Sequence, residues 1–264
     1  MSGILSDRVV ISVSGPEAKS FLQGLITNDV PTLAPERPLY AALLTPQGKL
    51  LYDFLLSVAD ETIYLDSHAA SADALLKRLT LYRLRARVEL ARRADLSVLW
   101  NSETGVDDPR WPALGRRAVA QPQGPDVSAE YLGSRLALGI PEGADFGSDR
   151  IFALDAGMEE LRGVSFDKGC YIGQELTARM KHRGTARKRL LPISTLDGSD
   201  LPSPGSEVRA GSVALGEITA AYGGRGFALI RLDRWEEAGD AAVGIGEQTA
   251  RIERPAWLAR AAGT

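Results

Sequence analysis

The sequence predicts an α+β protein, with a mixed body over residues 1–184 and a small antiparallel β-barrel over 185–264. Three observations predict this division. A hydrophobic content of 44% beside 25% charged residues belongs to a chain that buries a real core. Segments with strand and helix periodicity interleave up to about residue 184. Beyond about 186 the texture changes to short strands punctuated by Gly and Pro (RLLPIS, SEVRA, GSVALGEITAAY, GFALIRL, QTARIE), the spacing of a small barrel.

Taken in order, RVVISVS at 8–14 alternates as a strand does, and Gly15-Pro16-Glu17 supplies a turn and a helix start, so a short helix runs through Phe21 and Leu22. YAALLTPQGKLLYDFLLSV at 40–58 holds two apolar runs around Pro46-Gln47-Gly48-Lys49, a β-hairpin. Asp53 lies inside the second run. A buried polar group costs about 2 kcal/mol or more unless it is paired or faces a cavity, which marks this acid as a candidate. ETIYLDS reads as a third strand and SADALLKRLTLY as a helix capped by Ser71. Alternation resumes in VELARRADLSVLW, QPQGPDVS at 121–128 is the internal linker candidate, and the helical pattern of SAEYLGSRLALGIP stops at Gly139 and Pro141. In the barrel, Gly223-Gly224-Arg225-Gly226 is a turn rather than a phosphate cradle, because no helix pattern follows it.

Composition excludes several functions. Cys170 is the only cysteine, so the chain alone builds no disulfide and no four-cysteine zinc or iron–sulfur site. His68 and His182 lack the spacing of a zinc pair, and no dinucleotide fingerprint, P-loop or G-x-S-x-G elbow is present. No apolar run approaches the roughly 20 residues needed to cross a bilayer, and MSGILSDRVV is no secretory signal, so a cytoplasmic, membrane-free monomer is expected. A net charge of −3 and a pI near 5.6 argue against a general nucleic-acid binder.

The stretch KGCYIGQE at 168–175 carries the sharpest chemistry. Lys168 near Cys170, glycines that expose backbone N–H groups, and a helix starting near Gly173 would favour the thiolate. The competing reading is a small buried hydrophobe beside a glycine turn. Gln174 and Glu175 offer an amide and a carboxylate that could grip a heterocycle, or else form a solvated first helical turn. Lys181-His182-Arg183 and Arg187-Lys188-Arg189 make a basic cluster for a carboxylate-rich tail, a phosphate or nucleic acid, or a solvated charged hairpin.

GVSFDKGCYIGQELTAR at 163–179 resembles the signature of the YgfZ-type folate-binding proteins, whose eukaryotic relatives act in iron–sulfur cluster assembly. GPEAKSFLQGLITNDV at 15–30, LTPQGKLLYDF at 44–54, LYRLRARVEL at 81–90 and PSPGSEVRAGSVALGEITAA at 202–221 extend the resemblance over nearly the whole chain. More distantly the family is similar to the aminomethyltransferase of the glycine cleavage system. The resemblance implies a mixed α/β folate-binding body of the aminomethyltransferase type, with tetrahydrofolate or a one-carbon derivative as cofactor and iron–sulfur carrier or client proteins as partners. It implies Cys170, Lys168 and Asp53 as reactive groups, and Asp53, Asn28, Tyr171, Gln174, Glu175 and Arg179 around the folate. The function implied is a folate-binding accessory protein for iron–sulfur cluster assembly or repair. A folate-dependent aminomethyl transferase is the alternative, and the transferases lack the Lys-Gly-Cys loop. ALDAGMEELR at 153–162 departs from relatives that carry Pro and Asn near Ala153 and Gly157.

Overall fold

The computed structural model describes residues 2–184 and 187–262. The expected division after residue 184 falls against residues 185 and 186, which lie outside the described residues. The chain opens with β1 (Gly3–Ile4), β2 (Arg8–Ser14), α1 (Ala18–Gln23), β3 (Leu39–Leu44), β4 (Leu50–Ala59), β5 (Thr62–His68), α2 (Ala69–Arg83) and β6 (Glu89–Arg93). Five of these strands form an antiparallel sheet in the order β3-β4-β5-β2-β6. Period-2 alternation divides its side chains. Ile11, Val13, Phe54, Leu56, Ile63 and Leu65 pack under α1 and α2, while Val10, Tyr40, Ala42 and Leu55 face a central core. Covering on both faces explains why every residue of β3 is buried. The α2 helix begins at Ala69 rather than behind Ser71, because the His68 imidazole is itself the cap: its Nδ1 accepts the Ala70 N–H at 3.3 Å.

A second sheet joins β7 (Ser97–Trp100), β8 (Val106–Asp107) and β9 (Arg116–Ala120) to β1 in the order β1-β7-β9-β8. The stretch 121–126 is exposed, yet it is stitched to the first strand, since Ile4 N–H donates to the Pro125 carbonyl and Val127 N–H to that of Ile4. The next helix, α3 (Ser128–Leu138), ends where expected, with Gly139 left-handed at the C-cap. Residues 151–173 have almost no regular structure but place Ala153, Ala156, Met158 and Leu161 in the central core. Gly157 is required there: its φ is +75°, and a Cβ would lie 2.6 Å from the Trp257 ring. This segment leads into α4 (Gln174–Arg183).

The C-terminal strands close into a six-stranded antiparallel barrel, as the sequence predicts. They are β10 (Lys188–Thr195), β11 (Glu207–Ala210), β12 (Val213–Tyr222), β13 (Arg225–Arg231), β14 (Val243–Ile245) and β15 (Gln248–Ile252), in the order β10-β13-β12-β11-β14-β15. Leu191, Ile193, Val208, Leu215, Ile218 and Ile230 fill it. The strand-only reading missed a helix, α5 (Leu232–Ala238), and the short strand β14 lies outside the segments it named. The barrel is held to the body by Trp257, whose indole N–H donates to the Gly139 carbonyl at 3.1 Å. No helix among the described residues is long and apolar enough to cross a membrane.

Candidate functional site

Cys170 is exposed, which removes the reading of a small core residue. Its loop is nevertheless rigidly held. Lys168, 7% exposed, turns inward and donates all three ammonium hydrogens, to the carbonyls of Gln23 (2.8 Å) at the end of α1 and of Ile26 (2.6 Å) and Asn28 (2.8 Å) beyond it. Burial lowers the Lys168 pKa to about 8. The expectation that Lys168 activates the thiol is therefore corrected: its donors are spent on the backbone, and it positions the loop instead. Cys170 itself precedes the Gly173 N-cap of α4 by three residues. On the other side the loop rests on the β3–β4 turn. Gly173 has φ +82°, and a Cβ there would meet the Thr45 carbonyl at 2.5 Å.

Asp53 points into the central face of the five-stranded sheet and is 4% exposed. Its Oδ1 accepts the Gly143 N–H at 2.9 Å, and its Oδ2 accepts the Tyr40 hydroxyl at 3.2 Å. Burial raises its pKa, with Arg8 pulling the other way. Around it runs a buried ionic network that sequence reasoning missed. Arg8 pairs with Asp66, Arg117 bridges Asp66 and Asp108, Arg110 bridges Asp108 and Glu142, and Arg135 holds Asp145. Burial opposes the charge on Glu142, but Arg110, Arg8 and Arg135 outweigh it and hold its carboxyl well below the usual range. Tyr222 of the barrel donates to Asp145 at 2.6 Å, so all parts of the molecule meet here. A cleft of about 160 Å³ opens beside Asp53, lined by Tyr52, His68, Ser71, Gly143, Phe146 and Ser148 among others. Across His68 and Ala144 a second cleft of about 210 Å³ reaches Glu142, Arg135 and Tyr222.

The expected folate residues do not gather in one pocket. Asn28 spends its amide on structure, donating to the carbonyls of Tyr40 (2.7 Å) and Arg162 (2.8 Å) and accepting the Asp29 N–H. Tyr171 is buried in the central core, and Gln174 accepts the Tyr171 N–H at 3.2 Å. Glu175 and Arg179 form an exposed ion pair at 2.7 Å along α4. None of these five lines either cleft. The basic cluster is divided as well: Lys181 pairs with Glu159 and Arg189 with Glu160, whereas Arg187 and Lys188 line a separate cleft with Asp155.

Comparison with known proteins follows the same division. Residues 187–260 match the family model described as CAF17, C-terminal beta-barrel domain. The iron-sulfur cluster assembly factor IBA57, mitochondrial, of Mus musculus is 34% identical over 86% of this chain and 76% of its own length, and that of Homo sapiens 33% identical over 88% and 77%. The chain belongs to the IBA57 family of iron–sulfur cluster assembly factors. A crystal structure of the glycine cleavage system aminomethyltransferase T from Bartonella henselae superposes with a TM-score of 0.74 at 16% identity, covering 97% of this chain and 85% of that one, which shows the shared fold. The expected cytoplasmic location is overturned, because these IBA57 relatives are named mitochondrial. The composition of a folded domain does not encode its compartment.

Proposed function

We propose that the protein assists iron–sulfur cluster assembly or repair by presenting Cys170 as a single thiolate ligand to an iron or cluster otherwise held by a carrier or client protein. The observation that carries this reading is a lone cysteine, exposed on a loop that Lys168 pins to the body. One thiolate holds no cluster by itself, and no group of three His, Cys, Asp or Glu among the described residues could hold a metal ion. The remaining ligands come from the partner, so the complex is transient and the chain a helper rather than a store.

The narrower likeness to YgfZ-type proteins extends the proposal to a reduced folate in the Asp53 cleft. The donor set suits the bicyclic head: a carboxyl for ring N–H groups, an imidazole at His68, hydroxyls at Ser71 and Ser148, and the Phe146 ring. At about 160 Å³ the cleft lies below the roughly 300 Å³ at which drug-sized pockets begin, so it takes the head and leaves the tail outside. When bound, a reduced folate supplies a ring nitrogen that accepts a one-carbon unit. Asp53 would orient the head, and Gly143 and Tyr40 hold the carboxyl in place. Aminomethyl transfer, the second reading, rests on the shared fold, and release of a one-carbon unit to folate from a small amine is the result that would favour it.

Two variants test these halves separately. Cys170→Ala should fold normally and bind tetrahydrofolate as the parent does, yet fail to restore iron–sulfur enzyme activity in a strain lacking the protein. Full restoration would refute the thiolate role. Asp53→Asn should weaken tetrahydrofolate binding by about 1.5–3 kcal/mol, the range for a hydrogen bond to a charged group. An unchanged isotherm would remove folate from the Asp53 cleft.

A further inference from the structure

A cleft of about 320 Å³ lies where the body meets the barrel, against about 160 Å³ for the cleft beside Asp53. The two share no described lining residue. Phe152 and Asp155 come to it from the irregular segment before α4, Met180 from α4 itself, Lys188 from β10, and Leu229 and Arg231 from β13. Two contacts fix its walls. The Leu190 N–H of β10 donates to the Asp155 carbonyl at 2.8 Å, and Arg150, which also lines the cleft, pairs with Glu217 of β12 at 2.8 Å. The volume is that of a small-molecule site, above the roughly 300 Å³ at which such pockets begin.

The groups lining this cleft do not satisfy one another. Asp155 is 6% exposed, and its carboxyl makes no hydrogen bond or ion pair among the described residues. Arg189 and Lys188 pull on it electrostatically, but Arg189 is bonded to Glu160 at 3.1 Å and the Lys188 ammonium is bonded to nothing described. With a pKa pushed up to about 6 the group is a carboxylate at pH 7.5, an acceptor that lacks a donor, and a buried charge left in that state is costly. Arg187 and Lys188 are exposed, and their side chains also have no partner among the described residues. Arg150 and Arg231 are each occupied by one acid, Glu217 and Asp233. The rest of the lining is apolar: Phe152, Met180 and Leu229, each half-buried.

This set decides the charge type of an occupant. A simple anion is drawn to Arg187 and Lys188 but repelled by Asp155, and a simple cation meets the reverse. A zwitterion suits both, with an ammonium on Asp155, a carboxylate toward the two basic residues and hydrocarbon against the three apolar side chains. We infer that this cleft is a binding site for a small zwitterion of the apolar α-amino-acid class, held by Asp155 through its ammonium and by Arg187 and Lys188 through its carboxylate. The site uses neither Cys170 nor Asp53, so it stands or falls apart from the function proposed above.

Isothermal titration of the whole chain at pH 7.5 with L-methionine, L-leucine and L-phenylalanine tests this. At least one should bind saturably. Its N-acetyl derivative, which lacks the ammonium, and its amide, which lacks the carboxylate, should each bind about tenfold more weakly or worse. Asp155→Asn should lower the affinity by about tenfold or more. That variant removes an unpaired buried charge and should melt no lower than the parent, so its lost binding is not lost folding. Arg187→Gln with Lys188→Gln should weaken binding by a similar factor, while Cys170→Ala and Asp53→Asn leave it unchanged. An N-acetyl derivative that binds as tightly as the amino acid makes this an anion site, and an amide that does so makes it a cation site; either result overturns the inference. So does binding that survives Asp155→Asn, binding that is lost in Asp53→Asn, or the absence of saturable binding by all three amino acids at millimolar concentration.

Discussion

Asp155 shows how one buried carboxyl imposes a pH dependence on the whole molecule. It is 6% exposed, its carboxyl has no hydrogen-bond partner among the described residues, and burial pushes its pKa up to about 6 against the pull of Arg189 and Lys188. In the unfolded chain the group titrates near its ordinary value of about 4. The folded state thus holds the proton more tightly, and the stability it contributes is complete below about pH 4 and lost as pH rises through about 6. Asp155→Asn should therefore raise stability at pH 7.5 by on the order of 1–3 kcal/mol, seen as a higher melting temperature, and leave it unchanged at pH 4. Equal melting curves at pH 7.5 would refute this. Single residues of this kind were only partly legible. Asp53 stood out as an acid in an apolar run, but Asp66 in ETIYLDS carries the same signal, and Arg8 opens RVVISVS in the same manner. Their importance emerges only when the sheet is covered. Asp108 and Arg110 sit in DDPR, which reads as a surface loop, and nothing local announces that both are buried. Lys168 was recognised but misdirected, since spacing along the chain could not reveal three carbonyls more than a hundred residues away.

At the scale of elements, the contact between α4 and the β3–β4 turn sets where the cysteine loop stands. Gly173 and Gly48 face each other there, both with positive φ, and a Cβ on Gly173 would meet the Thr45 carbonyl at 2.5 Å and Leu44 at 2.9 Å. Gly173→Ala should therefore cost about 2 kcal/mol or more and increase amide exchange in residues 163–173, with the barrel unaffected. Unchanged exchange in that loop would show that the contact does not position it. Elements with strong local signals were legible: β2, the β3–β4 hairpin, α1 and the Gly139 stop of α3 all follow periodicity or turn chemistry. The start of α2 was displaced because a histidine served as the cap. The α5 helix and β14 are too short for periodicity to declare, and 151–173 is buried by tertiary contacts that no local pattern encodes.

For the whole molecule Tyr222 joins the barrel to the buried ionic network, donating its hydroxyl to Asp145 alongside the Trp257 and Arg189 contacts with the body. Tyr222→Phe should lower stability by about 1.5–3 kcal/mol, the range for a bond to a charged group, and do so in a single transition if barrel and body unfold together. Two separated transitions would show independent units. The same ionic network has a consequence for the charge of the folded protein. Four guanidiniums, of Arg8, Arg110, Arg117 and Arg135, face five carboxyls, of Asp53, Asp66, Asp108, Glu142 and Asp145. Asp53 alone has no guanidinium bonded to it and is pushed toward its neutral form. Burial thus lets Asp53 keep its proton to a higher pH than a free aspartate does, while its guanidinium-bonded neighbours Asp108 and Glu142 are held below the usual carboxylate range. In the acid range unfolding should therefore release protons from Asp53 and take them up at Asp108 and Glu142, so Asp53→Asn should shift the net proton exchange of denaturation toward uptake.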